Sequence, residues 1–221
     1  MENKLWYLKR FKLFYRAPEE TVSHCEHFFT QQLFPKRSHI FDQGDPARMV
    51  YLVKSGKVKL VRHTEDGKEI LLTVLGPGDL FGEEVVFQEQ IERSTIAECL
   101  EPSLVCMAKA ENVYAMLSRH PVLALNVAKY LLEQRDDALS VVEEVAYLKV
   151  PERILRLFDR LAAEHGKPVA GGTLLDLRLT HADIASLVGS TRETVSQQLS
   201  LLAKAGRIRM NGKSIVLSLA G

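Results

Sequence analysis

Short runs of alternating apolar and polar residues fill the chain between about residues 30 and 108, and turn-forming residues separate them. Gly44-Asp45-Pro46, Asp66-Gly67 and Gly76-Pro77-Gly78-Asp79 are the clearest of these turn signals. Strands this short, with turns roughly every eight to twelve residues, predict an antiparallel sandwich or barrel. The segment before it is expected to be helical and to pack on that barrel through its aromatic residues Trp6, Phe11, Phe14, Phe28 and Phe29.

The pattern changes to a seven-residue repeat between Pro121 and Val150, a stretch without internal glycine or proline. Apolar residues at this spacing are typical of a helix that pairs with another helix. We expect the same helix of a second copy as the partner, which makes the protein a homodimer. Pairing extends along part of the helix, because Arg135 and Lys149 also fall on the seam. The alternative is a long helix that lies on its own barrel. The predicted interface residues are Leu125, Leu132, Leu139, Val142 and Ala146.

Two capping signals near the end of the chain each predict the start of a helix. Thr180 is followed three residues later by Asp183, and Ser190 is followed in the same way by Glu193. Gly189 lies between the two helices and supplies a tight turn. Two helices joined by a short glycine-containing turn form a helix-turn-helix.

The second of these helices is predicted to bury Val195, Leu199 and Leu202, which leaves a polar face on its other side. That face suits base edges in the major groove of DNA. Arginine can donate two hydrogen bonds to guanine, glutamate accepts from the cytosine amine, and glutamine pairs with adenine. The alternative is a polar face that meets only solvent. The candidate DNA-binding residues are Thr180, Ser190, Thr191, Arg192, Glu193, Ser196, Gln197, Ser200 and, beyond the helix, Lys213.

The segment "RIRMNGKSIVL" after this helix alternates around Asn211-Gly212, which predicts a β-hairpin. Arg207, Arg209 and Lys213 on the hairpin are expected to contact the sugar–phosphate backbone. From Pro151 onward the chain has ten Lys and Arg against six Asp and Glu, whereas the preceding 150 residues have 19 against 22. This local excess of positive charge favours a polyanion as partner. A helix-turn-helix followed by a basic hairpin is a winged helix.

Two stretches, "GSTRETVSQQL" and "GDLFGEEVVFQEQIERST", resemble the CRP/FNR family of bacterial transcription regulators, and the resemblance extends over nearly the whole chain. It implies a β-roll sensor, a dimer helix and a winged helix that binds double-stranded DNA, with RNA polymerase as a further partner. It also implies that Arg192 and Glu193 read a G and a C in each half of an inverted repeat. Gln197 stands where the family commonly has a second arginine, and it favours adenine instead.

The predicted fold class is α+β, in three parts. Residues 1–120 form a β-roll (jelly-roll, cyclic-nucleotide-binding-like) effector-sensing domain, 121–150 a long dimerisation helix, and 151–221 a winged helix-turn-helix domain. The last boundary is placed at Pro151, which can occupy the first turn of a new helix.

The second stretch resembles the family's phosphate-binding cassette, which implies cyclic AMP or a related nucleotide as the effector. An arginine and a serine hydroxyl can bind the cyclic phosphate with help from backbone amides, and Glu83 can accept a hydrogen bond from the ribose 2′-hydroxyl. The implied effector-binding residues are Gly82, Glu83, Glu84, Arg93, Ser94 and Thr95.

One departure concerns the adenine. In the cyclic-AMP-responsive members of the family, a threonine–serine pair on the dimer helix touches the adenine. The matching positions here are Ala138 and Leu139, and Ser140 is the nearest hydroxyl. An adenine would thereby lose hydrogen bonds worth roughly 0.5–1.5 kcal/mol each. Another effector, no effector, and a purely structural Glu83–Arg93 ion pair are the alternatives.

Metal chemistry and catalysis find little support in the sequence. Cys25, Cys99 and Cys106 contain no C-x-x-C pair, so neither a disulfide framework nor an iron–sulfur site is expected. The one alternative metal pair is His24 and His27 in "HCEH", and no metal is predicted. A metal-dependent jelly-roll enzyme needs clustered histidines and carboxylates, whereas His39 and His63 are isolated. The chain is therefore predicted not to be an enzyme.

No apolar run approaches the roughly 18 residues of a membrane span, and the first residues do not resemble a signal peptide. We therefore expect a cytoplasmic protein without a membrane partner. A nucleotide-sensing module that acts only through protein contacts is a further alternative.

Overall fold

A computed structural model describes residues 5–88, 91–212 and 214–218 of the chain. These residues divide into two units. The first comprises residues up to 69 together with 73–136, and the second comprises residues 70–72 together with those from 137 onward. The division falls within the long central helix, and the domain boundaries expected after residues 120 and 150 stay predictions.

Two four-stranded sheets form the β-roll that the turn spacing predicts. One has the order β1 (Thr30–Phe34), β8 (Ser103–Lys109), β3 (Met49–Ser55) and β6 (Leu80–Phe81). The other has the order β2 (His39–Phe41), β7 (Ile96–Cys99), β4 (Val58–His63) and β5 (Glu69–Leu75).

Strand β3 shows why the central strand of this roll is apolar at consecutive positions. Tyr51 and Val53 point into the core between the two sheets, whereas Val50 and Leu52 belong to a second core on the outer face. Since successive side chains of a strand point to opposite faces, a strand covered on both sides buries every residue. The outer core consists largely of side chains from the helices.

The helices of the first unit are α1 (Leu5–Leu8), α2 (Glu19–Cys25), α3 (Glu84–Phe87), α4 (Ala110–Arg119) and the start of α5 (Pro121–Tyr147), with 3-10 turns at Lys12–Phe14 and Glu26–Phe28. The prediction that the N-terminal segment packs on the barrel is confirmed. Phe11, Phe14 and Phe29 are buried in the outer core, and Phe28 is packed against it. The Trp6 side chain lies outside the described part of the chain.

Helix α5 has two apolar faces. Leu123, Val127 and Tyr130 recur at i, i+4 and i+7 and are buried in the outer core, and the Tyr130 hydroxyl donates to the Leu80 carbonyl at 2.8 Å. The predicted heptad face is separate from them and exposed: Leu125 is 70% exposed, and Leu132, Leu139, Val142 and Ala146 are exposed as well.

The second unit contains α6 (Val150–His165), β9 (Gly166–Val169), β10 (Gly172–Leu175), α7 (His181–Val188), α8 (Arg192–Lys204), β11 (Ile208–Asn211) and β12 (Ser214–Ser218). The four strands pair in the order β11, β12, β10, β9. The hairpin of β9 and β10 was not predicted, although Gly171-Gly172 between two short runs is a turn signal.

The helix break before α6 lies slightly earlier than expected. The central helix ends at Tyr147 instead of Val150, and Val150 is already the first residue of α6. The Glu152 carboxylate accepts a hydrogen bond from the Lys149 N–H at 2.8 Å and so satisfies a backbone donor at the start of the helix. Pro151 falls in the first turn, as predicted.

Candidate DNA-reading helix and effector pocket

Helix α7 begins and ends with local hydrogen bonds. At its start, the Thr180 N–H donates to Asp183 Oδ2 at 2.7 Å and the Asp183 N–H donates to Thr180 Oγ1 at 3.1 Å, which confirms the predicted capping box. At its end, Gly189 adopts the left-handed conformation (φ +61°). The next N–H, that of Ser190, donates to the Ala185 carbonyl at 2.9 Å, so Ser190 still belongs to the cap of α7.

The start of α8 corrects one sequence prediction. Ser190 and Glu193 do not form the capping box of this helix, because the Ser190 backbone is engaged in closing α7. Thr191 is the N-cap instead, with extended backbone angles, and its hydroxyl accepts a hydrogen bond from the Thr194 N–H at 3.2 Å. Glu193 is therefore free of the capping role and lies exposed in the first turn.

The polar face of α8 is positioned by its buried face. Val195, Leu199 and Leu202 are buried, as the periodicity predicts. The exposed side chains lie on the other side, and Arg192 and Glu193 among them are at the helix N-terminus, where backbone N–H groups favour an anion. Ser190 is half-buried. The exposed candidates are Thr180, Thr191, Arg192, Glu193, Gln197 and Ser200.

Ser196 differs from its neighbours because it joins the two helices of the motif. It is half-buried, and its hydroxyl lies 2.7 Å from Nδ1 of His181, the first residue of α7. The same hydroxyl donates to the Arg192 carbonyl at 2.8 Å. Since a hydroxyl has one proton, His181 must donate from Nδ1 when both bonds are present. Sequence reasoning missed His181, since its partner is known only from the packing of α7 on α8.

The predicted hairpin is present as β11 and β12, with Asn211 paired to Ser214. Lys213 lies outside the described residues. Arg207 is exposed, as expected of a backbone contact. Arg209 instead donates to the carbonyls of Ala170 (2.9 Å) and Gly171 (3.2 Å), so its guanidinium holds the turn between β9 and β10.

The predicted effector residues gather around Arg93, which is 3% exposed. Its guanidinium donates to the carbonyls of Gly82 (3.2 Å) and Met49, forms an ion pair with Glu84, and lies 4.4 Å from the centre of the Phe41 ring. Gly82 has φ +74°, and a Cβ there would stand 2.8 Å from Arg93 Nη1, so glycine is needed beside the guanidinium. The alternative of a structural Glu83–Arg93 ion pair is corrected, because the ion pair of Arg93 is made with Glu84.

Glu83 lies half-buried next to this cluster. Burial raises the pKa of its carboxyl group from 4.5 to about 7, and the neighbouring Glu84 charge acts in the same direction. The backbone hydrogen bond to the Glu83 carboxyl group and the Arg93 charge oppose this shift. Glu83 therefore exists in both protonation states near neutral pH.

Ser94 lies at the exposed end of the cluster, and Thr95 beside it is half-buried. Arg62, which no sequence motif marked, donates from Nε to the Ser94 carbonyl at 3.1 Å and from Nη2 to the Ser94 hydroxyl at 3.3 Å. The predicted residues 82–84 and 93–95 are thus brought together, with one unpredicted arginine added.

The described residues hold no group of three or more His, Cys, Asp or Glu side chains that could bind a metal. His24 lies in α2 and His27 in the 3-10 turn that follows. Among the described helices, none combines the length and apolar character that crossing a membrane requires.

A β-roll with a phosphate-cassette-like turn and a winged helix-turn-helix define a transcription regulator that carries a cyclic-nucleotide-binding-type domain. The model of the cyclic nucleotide-binding domain matches residues 31–120, and that of the Crp-like helix-turn-helix domain matches residues 152–221. The chain belongs to the CRP/FNR family of transcription regulators.

Its relatives are regulators as well. The CRP-like cAMP-activated global transcriptional regulator of Mycobacterium tuberculosis is 31% identical over 84% of this chain and 82% of that protein. The cyclic AMP receptor protein of Thermus thermophilus is 32% identical over 92% and 90%. The solved structure of the c-di-GMP responsive global regulator CLP of Xanthomonas campestris has a TM-score of 0.78 at 26% identity and covers 92% of this chain and 100% of that one. The prediction that the chain is not an enzyme is confirmed.

Proposed function

We propose that the protein binds an inverted-repeat operator as a homodimer and that each α8 enters a major groove of double-stranded DNA. In each half-site, Arg192 donates to a guanine and Glu193 accepts from a cytosine amine, while Gln197 favours an adenine. The observation that carries this proposal is the exposure of Arg192 and Glu193 in the first turn of a helix whose opposite face is buried. Ser200 and the wing residue Arg207 extend the proposed contact surface.

The homodimer is supported by the exposed face of α5. Leu125, Leu132, Leu139 and Val142 expose between 49% and 70% of their surface in the single chain. Burying one such side chain contributes roughly 1.5–3 kcal/mol, so a second α5 packed on this face would be stabilising. Two-fold symmetry of the pair would match an operator made of two inverted half-sites.

An effector in the β-roll is the second part of the proposal. We propose a small anionic ligand, cyclic AMP or a related nucleotide, that contacts Glu83, Arg93 and Ser94. Two of the relatives above are named for cyclic AMP and one for c-di-GMP, so the ligand differs within the family. Such a ligand can act only through different affinities for two arrangements of the dimer. We further propose that the protein contacts RNA polymerase and that it is located in the cytoplasm. The three-part domain division is also part of the proposal.

DNA reading is tested by a mobility-shift assay at a stated salt concentration, with an inverted repeat carrying G and C in each half-site. We expect Arg192→Ala to weaken binding by about 10- to 100-fold, since one bidentate base contact discriminates by roughly 1–3 kcal/mol. Arg156→Ala is the matched control, because Arg156 is exposed on α6 and the change removes the same charge. Equal losses for both variants, or equal binding to scrambled DNA, would reject base reading.

Dimerisation is tested by light scattering of the pure protein. The wild type should have twice the 24.9 kDa mass of the chain, and Leu139→Asp should shift the mass towards one chain. Asp137→Lys is the control, because Asp137 is exposed on the opposite side of α5. A wild type that remains a single chain with and without operator DNA would end the proposal.

A further inference from the structure

Arg62 belongs to the inner face of the β-roll. On β4, Val58 is part of the core between the sheets and Leu60 is packed against it. Since alternate residues of a strand share a face, Arg62 follows these two on the inside, whereas Lys59 makes ion pairs elsewhere. Arg62 is exposed, and its hydrogen bonds to Ser94 place it beside the effector cassette.

The two arginines beside Ser94 are in different electrostatic situations. The Arg93 side chain is 2% exposed and its charge is compensated by Glu84. Arg62 directs both of its hydrogen bonds within the described residues to Ser94, and neither acceptor carries a charge. A guanidinium has five N–H donors, so three remain for a ligand. The Ser94 hydroxyl accepts from Arg62 and keeps its own proton for donation.

We propose that Arg62 is a specificity-determining residue of the effector pocket and selects phosphate ligands with two negative charges over a cyclic mononucleotide with one. This inference rests on the proposed effector function. The Ser94 hydroxyl and the backbone amides of the cassette can bind one phosphate charge, and Arg62, whose two hydrogen bonds go to uncharged Ser94 acceptors, complements a second charge beside it. Charge-assisted bonds from a guanidinium to phosphate are strong and directional, so the second charge adds affinity. A cyclic dinucleotide and a nucleoside 5′-monophosphate both supply that chemistry.

Calorimetric titration of the full-length protein with cyclic AMP, cyclic di-GMP and AMP tests the proposal. We expect at least one of the doubly charged ligands to bind about tenfold or more tightly than cyclic AMP. Arg62→Ala should weaken that ligand at least tenfold and cyclic AMP less. Arg62→Lys should restore part of the loss, because it keeps the charge without the planar fork. Rising salt should also weaken the doubly charged ligand more steeply in the wild type than in Arg62→Ala.

The control is Lys36→Ala, which removes one exposed positive charge from a turn of the same unit and should leave all affinities unchanged. Thermal unfolding of each variant checks that the roll is intact, and Arg62→Gln replaces Arg62→Ala if the latter unfolds. If cyclic AMP binds more tightly than both doubly charged ligands, or if the Arg62 variants lose affinity equally for all three ligands, the role of Arg62 is overturned and the effector pocket is not. If the wild type binds none of the three ligands, both this inference and the proposed effector are overturned. The proposed DNA binding is unaffected, because the mobility-shift assay tests it separately.

Discussion

Gly189 lies between α7 and α8, and Gly189→Ala tests how strongly the turn of the helix-turn-helix depends on glycine. Gly189 has φ +61°, and an L-residue in this left-handed region costs roughly 1–2 kcal/mol. A Cβ at Gly189 would also stand 3.1 Å from Cγ2 of Val145 and 3.5 Å from Nη1 of Arg153, which donates to the Gly189 carbonyl. At 3.1 Å, the Val145 side chain must shift by a few tenths of an ångström to admit the new methyl group. The 3.5 Å distance to Arg153 is an ordinary van der Waals contact.

Gly206 supplies a matched control for this substitution. Its φ of +71° carries the same conformational cost, but a Cβ there meets nothing within 4 Å. We expect Gly206→Ala to lower the free energy of unfolding by about 1–2 kcal/mol and Gly189→Ala by at least as much. Gly189→Asn should lose less, because asparagine tolerates the left-handed conformation better.

Thermal and urea unfolding followed by circular dichroism measure these differences. A loss of 1 kcal/mol corresponds to a Tm decrease of roughly 4–8 °C for a domain of 60–100 residues. The operator affinity of Gly189→Ala should fall as well, because the turn orients α8. A Gly189→Ala protein as stable as the wild type would refute the left-handed turn as a determinant of this unit. A much larger loss in Gly206→Ala would refute the contribution of the Val145 contact.

Three further predictions concern single groups. Burial raises the pKa of Glu83 to about 7, so ionisation of this group increasingly destabilises the folded protein as pH rises from about 4.5 through 7. Glu83→Gln should therefore raise Tm at about pH 8 and leave it unchanged at about pH 4.5. An equal gain in Tm at both pH values would contradict this. His181→Ala and Ser196→Ala should each weaken operator binding about two- to tenfold, because a hydrogen bond contributes roughly 0.5–1.5 kcal/mol. If the losses in binding free energy add strictly in the double variant, the two side chains are not coupled by a hydrogen bond. Phe158→Ala empties a fully buried site in α6 and should cost roughly 3–5 kcal/mol in urea unfolding, so an unchanged midpoint would be incompatible with that burial.

Local periodicity explains why much of the fold could be predicted. The alternation in β4, the heptad face of α5 and the apolar side of α8 each repeat within a few residues, and the predicted elements are found in the structure. The capping box of Thr180 is equally local, since its two residues are three apart. Where two local signals competed, the prediction was wrong. Ser190 is a residue type common at helix N-caps, but its backbone closes α7, and Thr191 is the N-cap of α8.

The chemistry of the candidate sites divides in the same way. The chain itself determined which polar residues α8 presents and that a glycine, two glutamates, an arginine and a serine are available for the cassette, because these follow from residue type and spacing. Only the tertiary structure decided that Arg93 pairs with Glu84, that His181 reaches Ser196, and that Arg62 meets Ser94, 32 residues away. A hydrogen bond across strands or helices depends on how distant segments pack, and no local period of the chain carries that information.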